Sequence, residues 1–415
     1  MRLAVGLLAA ALVLTACGRT ADTGVPEAAK DVKEGQSGTL KVWAMGGEGE
    51  KLPQLAKEYE AANPGVKLEI TAIPWGQAHD KLAGAIAAKT TPDLTMMGTT
   101  WMSEFGKTGA LDPVPSLIDR SAFFPSSLQP PTVNNTLYGV PWYVDTRVLF
   151  YRKDILDKAG IKEAPKTWDE LKAAAKAAQS KGGAKYGMYL PPGKAGAADV
   201  FMPWIWQQGS DILGADGKFT FDSPETVKAL TYYQSFFTGK LAPTATQPGD
   251  AERWFVDGSL AMQITGPWMV SKFTELGGAG FADKFAVAPV PGDRTRTSFV
   301  GGADLAVFKD SRNRDAAWTF VKWLTDPAVQ VKWYGLQKDL PSVQSAWTDP
   351  ALQNDKVAPF GEQLKDTRAT PAISTYAQIQ KLVEDQTEKM IVGGVSPEDT
   401  AKALQQGAEG IGTGA

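Results

Sequence analysis

Residues Tyr138–Asp154 read YGVPWYVDTRVLFYRKD. Val148–Tyr151 is apolar at every position and has the residue types of a strand entering a core. Just before it stand Pro141, Trp142, Tyr143, Asp145 and Arg147. Two large rings and two opposite charges are a poor choice for a strand interior, where charge is tolerated only when paired. The stretch therefore poses a question about what lies at the mouth of this strand.

Upstream of it, short β-type runs alternate with helical patterns. LKVW (Leu40–Trp43) is followed by a Gly-containing loop, AMGGEGE, and by Lys51–Ala62, whose Leu52, Leu55, Ala56 and Tyr59 recur at helical spacing until Asn63-Pro64-Gly65. VKLEITAI (Val66–Ile73) alternates as a strand does, His79–Lys89 is helical, DLTMM (Asp93–Met97) is a third strand, and Gly98-Thr99-Thr100 caps a helix over Trp101–Lys107. Strand and helix in alternation with short connections predict a parallel α/β sheet. Downstream, Thr167–Lys181 opens on a capping box, with Glu170 three residues after Thr167. Helices are predicted over Val200–Gln208, Ser223–Gly239, Arg314–Leu324, Ala328–Tyr334, Pro371–Val392 and Pro397–Ala408. Strands are predicted over Tyr186–Leu190, Gly258–Gly266, Phe285–Pro289 and Asp304–Phe308. Two α/β lobes account for the 415 residues.

Composition removes several functions. One Cys and one His leave no internal disulfide and no Cys/His zinc set, and argue against a Cys–His or Ser–His nucleophile pair. His79 reads as a structural or solvent-exposed residue. A net charge of −3, with no basic block interleaved with aromatics, argues against nucleic acid. No cofactor is implied. The 13 Trp exceed what a core needs, and the surplus points to a binding face.

The single Cys belongs to the start of the chain. Arg2 precedes an apolar run, Leu3–Leu14, too short to span a membrane and shaped like a signal segment. It ends in Leu14-Thr15-Ala16-Cys17, which resembles the bacterial lipobox, so residues 1–16 are expected to be a lipoprotein signal peptide with Cys17 lipidated. Residues 17–38 are rich in Gly, Ser, Ala, Thr and charges and read as a flexible tether.

Several segments together resemble the extracytoplasmic solute-binding proteins of bacterial ABC transporters, in particular the carbohydrate-binding, maltose-binding-protein-like group. They are the lipobox, LKVWAMGGEGEKLPQLAKEYEAANPGVKLEI, PDLTMMGTTWMSEFGKTGALDPV, LYGVPWYVDTRVLFYRKDIL, FVDGSLAMQITGPWMV, FVGGADLAVF and AAWTFVKWLTDP. In order, they cover most of residues 38–345; the C-terminal tail matches only in helical character and in ATPAISTYAQIQ. The resemblance implies a two-lobe periplasmic-binding-protein-like fold of type II, each lobe a mainly parallel sheet flanked by helices, with the ligand cleft between lobes. It divides the chain into an N-terminal lobe, 39–145 plus 304–343, and a C-terminal lobe, 146–303 plus 344–415. It also implies that the first crossover runs through Tyr143–Arg147 and the second near Gly301–Asp304. A residue at a crossover faces the cleft, which answers the question posed by Tyr138–Asp154.

A sugar presents hydroxyls and weakly apolar C–H faces, so its site needs carboxylates, amides, Arg and flat rings. Asp145 occupies the position at which the resemblance places a sugar-binding acid, and geometry adds Tyr143 and Arg147. Glu48 follows the first strand, where open α/β sheets bind ligands, and Glu50 is a weaker companion. Trp75 and Gln77 follow the second strand, although Trp75 could equally cap the lobe. Trp101 follows the third. Trp268, in a Gly-Pro-Trp matching the group's stacking aromatic, is expected on the ligand. Trp204 and Trp206 are two apart and cannot share a helix face, and Trp204 is preferred. Gly302 and Asp304 belong to the second crossover, and Tyr376 and Arg368 are tail candidates. Trp254, Trp318, Trp323 and Trp333 are expected in cores.

The chain thus reads as a non-enzymatic, lipid-anchored, monomeric binding protein at the outer face of the bacterial cytoplasmic membrane. It would capture a di- or oligosaccharide, a glucoside, and deliver it to permease subunits driven by a cytoplasmic ATPase. Polyamine or glycerol phosphate are alternative solutes. A glycosidase would need two carboxylates at a set separation, a pairing the sequence does not display.

Overall fold

In the computed structural model, residues 29–193 and 196–414 are described. The signal segment, Cys17 and the first part of the tether lie outside them. Twelve strands occur among the described residues: β1 (Gly38–Met45), β2 (Val66–Ile73), β3 (Leu94–Gly98), β4 (Thr132–Val133), β5 (Thr136–Leu137), β6 (Val140–Thr146), β7 (Val148–Arg152), β8 (Met262–Thr265), β9 (Phe285–Ala288), β10 (Ser298–Val307), β11 (Leu340–Pro341) and β12 (Thr367–Arg368). One sheet has the order β11-β6-β10-β3-β1-β2, with β12 on β10; a second has the order β8-β7-β9; β4 and β5 form a separate hairpin.

The parallel sheet expected from the sequence is present in β1, β2 and β3, with the helices Gly46–Ala62 and Trp75–Ala88 as connections. Elsewhere the direction differs. β10 runs antiparallel to both β3 and β6, and β7 runs antiparallel to both its neighbours. The cause is the route of the chain: it leaves the first sheet on β6 and returns on β10, and neighbours running out and back are necessarily antiparallel.

β7 explains the apolar run. Leu149 enters a cluster with Trp168, Phe201, Trp204 and Tyr233, whereas Phe150 enters a second with Phe255, Phe273, Phe285 and Phe360. Both faces of the strand are covered, so no position between Val148 and Phe150 is free to be polar. The core around the first sheet is separate and includes Leu52, Leu55, Met96, Trp142, Val307 and Trp318. The C-terminal helices Tyr376–Ile391 and Pro397–Ile411 close the Leu149 side through Ile379, Val383 and Leu404.

Only Arg147 separates β6 from β7, which places the outward crossing there. The returning strand starts at Ser298, upstream of the expected Gly301–Asp304, and those four residues lie inside a paired strand. The two crossings are tied together. The Thr146 hydroxyl donates to the Phe299 carbonyl at 2.6 Å, and the Ser298 hydroxyl donates to the Arg147 carbonyl at 2.7 Å.

Local signals mostly set the helices. The capping box at Thr167 and Glu170 forms as predicted, and Ser223 caps Pro224–Thr238. Several starts differ from expectation: the helix expected from Pro371 begins at Tyr376, and that expected from Val200 begins at Ala197. AMGGEGE is no loop: Gly46, at φ 53°, turns the chain straight from β1 into a helix. The second helix begins at Trp75, ahead of His79.

Candidate ligand-binding cleft

The C-terminal ends of β1 and β3 deliver the first wall. Glu48 lies in the first turn of its helix, favourable for an acid beside unpaired N–H groups, and is 7% exposed. The Tyr143 hydroxyl donates to Glu48 Oε1 at 2.9 Å. Burial, and then the Glu48 charge, hold this hydroxyl well above the usual tyrosine range, so it remains a donor. Asp339, unnoticed in the sequence, joins the group. Burial first and Glu48 second push its carboxyl well above the ordinary range, against the 3.0 Å bond donated by Trp333 Nε1. On the same wall, Trp75 and Trp101 meet edge to face with centroids 5.5 Å apart. A Cβ on Gly46 would lie 2.7 Å from the Trp75 ring, so glycine there admits the indole. His79 supports Trp101 edge-on and holds Glu104 at 2.9 Å, a structural role.

The crossing supplies the centre. Arg147 donates to Asp145 Oδ1 at 2.6 Å and to Asp199 Oδ2 at 3.2 Å. Its guanidinium also lies 4.9 Å from the Trp268 ring centroid and 5.0 Å from that of Phe299. Burial alone would lower the Arg147 pKa, but the two carboxylates more than offset it and the net direction is upward. Asp199 is shifted upward by burial, with Arg147 opposing. Asp199 stands in the first turn of the helix Ala197–Trp206, and sequence reasoning missed it. Its signal was an acid at the start of an otherwise apolar helix.

Trp268 forms the other wall. It follows β8 through Gly266-Pro267 and is 51% exposed. The ring covers Gly266, where a Cβ would sit 2.1 Å from it. Arg147, Asp199 and Trp268 line a cavity of 830 Å³ that continues over β8 past Gln263 and Tyr189. That volume suits a small-molecule ligand.

Seven of the residues proposed from the sequence are not on these walls. Trp204 is 2% exposed and packs on Trp168 and Tyr233, with ring centroids 5.7 and 5.1 Å away. Its helix is buried on nearly every side, so neither Trp is left over for the cleft. Tyr376 is likewise interior, its hydroxyl 4.0 Å from Met202 Sδ. Asp304 is buried with neither carboxyl oxygen bonded among the described residues. The register against β6 shifts between Ala303 and Asp304, where β6 carries the extra residue, while β10 stays in regular register with β3, and Asp304 is enclosed within the lobe. Gly302 is a packing residue: at φ 128°, a Cβ there would lie 2.2 Å from the Tyr143 carbonyl oxygen. Gln77 is exposed in the first turn of its helix, two positions from Trp75 and so on another face. Glu50 is also exposed, and Arg368 pairs with Asp211 at 3.1 Å.

Residues 44–331 match the family described as bacterial extracellular solute-binding protein. The chain belongs to this family. The solute-binding protein is 33% identical to the sugar-binding protein MalE from Xanthomonas citri, with a TM-score of 0.85 over 90% of this chain and 97% of that one. That likeness confirms the two-lobe fold with a cleft between lobes. Among curated relatives, it is 26% identical to a maltotriose-binding protein of Pyrococcus abyssi, over 81% of this chain and 73% of that protein. It is 29% identical to a diacetylchitobiose-binding protein of Streptomyces coelicolor, over 77% of this chain and 76% of that protein.

Proposed function

We propose that this solute-binding protein captures a neutral di- or oligosaccharide, a glucoside, in the cleft and hands it to the permease subunits of an ABC importer. One observation carries the reading: Trp268 keeps half its surface open beside Arg147, while most of the large rings are buried. An exposed indole next to paired carboxylates suits a sugar, whose C–H face stacks while its hydroxyls bond acids. Trp75 and Trp101, edge to face on the Glu48 wall, offer a second aromatic platform, which favours more than one sugar ring. The relatives named above are binding proteins with sugar ligands, not enzymes. Binding to both walls would favour the closed arrangement of the lobes by its differential contacts.

A phosphate-bearing solute fits less well, because Arg147 is held by two carboxylates. A polyamine is the second reading, favoured by Asp145 and Asp199 at that one guanidinium and by Glu48 and Asp339 beside Tyr143. The Leu14-Thr15-Ala16-Cys17 motif supports lipid attachment at Cys17 and a place at the outer face of the cytoplasmic membrane.

Calorimetric titration with maltose, maltotriose, diacetylchitobiose and spermidine tests the assignment. The wild type should bind a sugar, and Trp268→Ala and Asp145→Ala should each weaken it at least about tenfold. Spermidine binding without sugar binding would replace the reading, and unchanged affinity in both variants would remove the site. A Cys17→Ala variant that stays with membranes would remove the anchor.

A further inference from the structure

Gln263 occupies the middle of β8, opposite Phe150 on β7 and bridged on its other side to Tyr189. Its neighbours Met262 and Ile264 point into an apolar core, as a strand between two covered faces requires. Gln263 itself is 3% exposed, and its amide nitrogen finds no hydrogen-bond partner among the described residues. Buried polar groups are almost always paired, because each unpaired one retains its full desolvation penalty. A valine or leucine at this position would avoid that penalty. The side chain also lines the cleft cavity, whose lining includes Trp268, Asp199 and Glu252.

We infer that Gln263 reads the ligand at the C-terminal-lobe end of the cleft, its amide donating to a hydroxyl oxygen of a neutral sugar ring lodged past Trp268. This rests on the sugar-binding reading above and extends it to a particular residue. The surrounding charges decide the ligand class. Asp199 and Glu252 oppose an anion here, and Arg147 is occupied by Asp145 and Asp199. An uncharged group that can accept from N–H and donate to a carboxylate is what these walls complement, and a sugar hydroxyl does both. Such a site should reject an analogue lacking that hydroxyl, because the amide would then stay unpaired in the complex.

The test compares wild type with Gln263→Leu in two measurements. In calorimetry with maltotriose and diacetylchitobiose, the variant should lose about tenfold in affinity for whichever sugar the wild type binds. In ligand-free thermal unfolding its Tm should rise, by about one or two degrees, since an apolar side chain replaces an orphaned amide. Affinity retained within about twofold overturns the assignment. So does a fall in ligand-free Tm, which would mark Gln263 as a structural residue. If the wild type binds neither sugar, the sugar reading fails on its own and the thermal arm still decides: a rise upholds Gln263 as a group held for a ligand, and a fall overturns it.

Discussion

Asp145 and Asp304 look alike in the sequence, yet the fold gives them opposite fates. Asp145 meets a guanidinium at the crossing, whereas Asp304 is sealed inside the first lobe, where burial alone holds its carboxyl well above the ordinary 3.8. In the unfolded chain Asp304 loses its proton near that ordinary value; in the folded chain it keeps it to higher pH. Between the two values the native state binds one proton more, so this residue makes stability fall as pH rises, with a limiting slope of about 1.4 kcal/mol per pH unit. Asp304→Asn removes the titrating group. Urea midpoints at a series of pH values above 4 should therefore show the variant's advantage growing with pH. An advantage that does not change with pH would show that Asp304 does not titrate as its burial requires. The single amino acid could not reveal this. Its place on β10, paired with Met97 of β3 and Pro141 of β6, encloses Asp304.

At the scale of elements, the central pair is β6 and β10. Together they carry both crossings, and their register brings Gly301 opposite Asp145 and Gly302 opposite Val144. Gly301-Gly302 reads in the sequence as a flexible crossover, but the flexibility is used for approach: β10 lies so close to β6 that no side chain fits at Gly302. Gly302→Ala combines a strained φ with a clash against backbone. It should cost about 2 kcal/mol or more, read as a lowered urea midpoint with an unchanged m-value. Stability within about 0.5 kcal/mol of wild type would mean the strands can part freely there. The helices were easier to anticipate, because caps and apolar spacing are local. Two exceptions share a pattern: Gly46-Gly47 and Pro74-Trp75 stand directly after strands, and helix begins there ahead of the expected start.

At the scale of the molecule, the chain crosses between the two sheets at Arg147 and Ser298, and one of the three apolar clusters, with Val144 and Val300 beside Phe150 and Phe285, spans that crossing. A change of angle between the lobes would turn on these crossings. Small-angle scattering on the wild type, with and without the sugar it binds, should show a smaller radius of gyration in the complex. Trp268→Ala at the same sugar concentration should stay at the ligand-free value. Equal radii in all samples would leave binding without closure.

Patterns one element long were mostly legible in the sequence, although the strand expected over Tyr186–Leu190 forms only isolated bridges at Tyr186 and Tyr189. The uninterrupted run Val148–Phe150 demanded cover on both faces, caps and glycines marked most helices, and one Cys with one His excluded whole classes of chemistry. Tertiary structure decided which of several similar residues reach the cleft. Trp204 and Trp268 are both tryptophans beside a proline, but one is enclosed by a helix apolar all round and the other emerges where β8 ends. Asp199 and Gln263 gained their places from neighbours distant in the chain. Side-chain direction depends on register and on what packs opposite, and neither is encoded within reach of the residue itself.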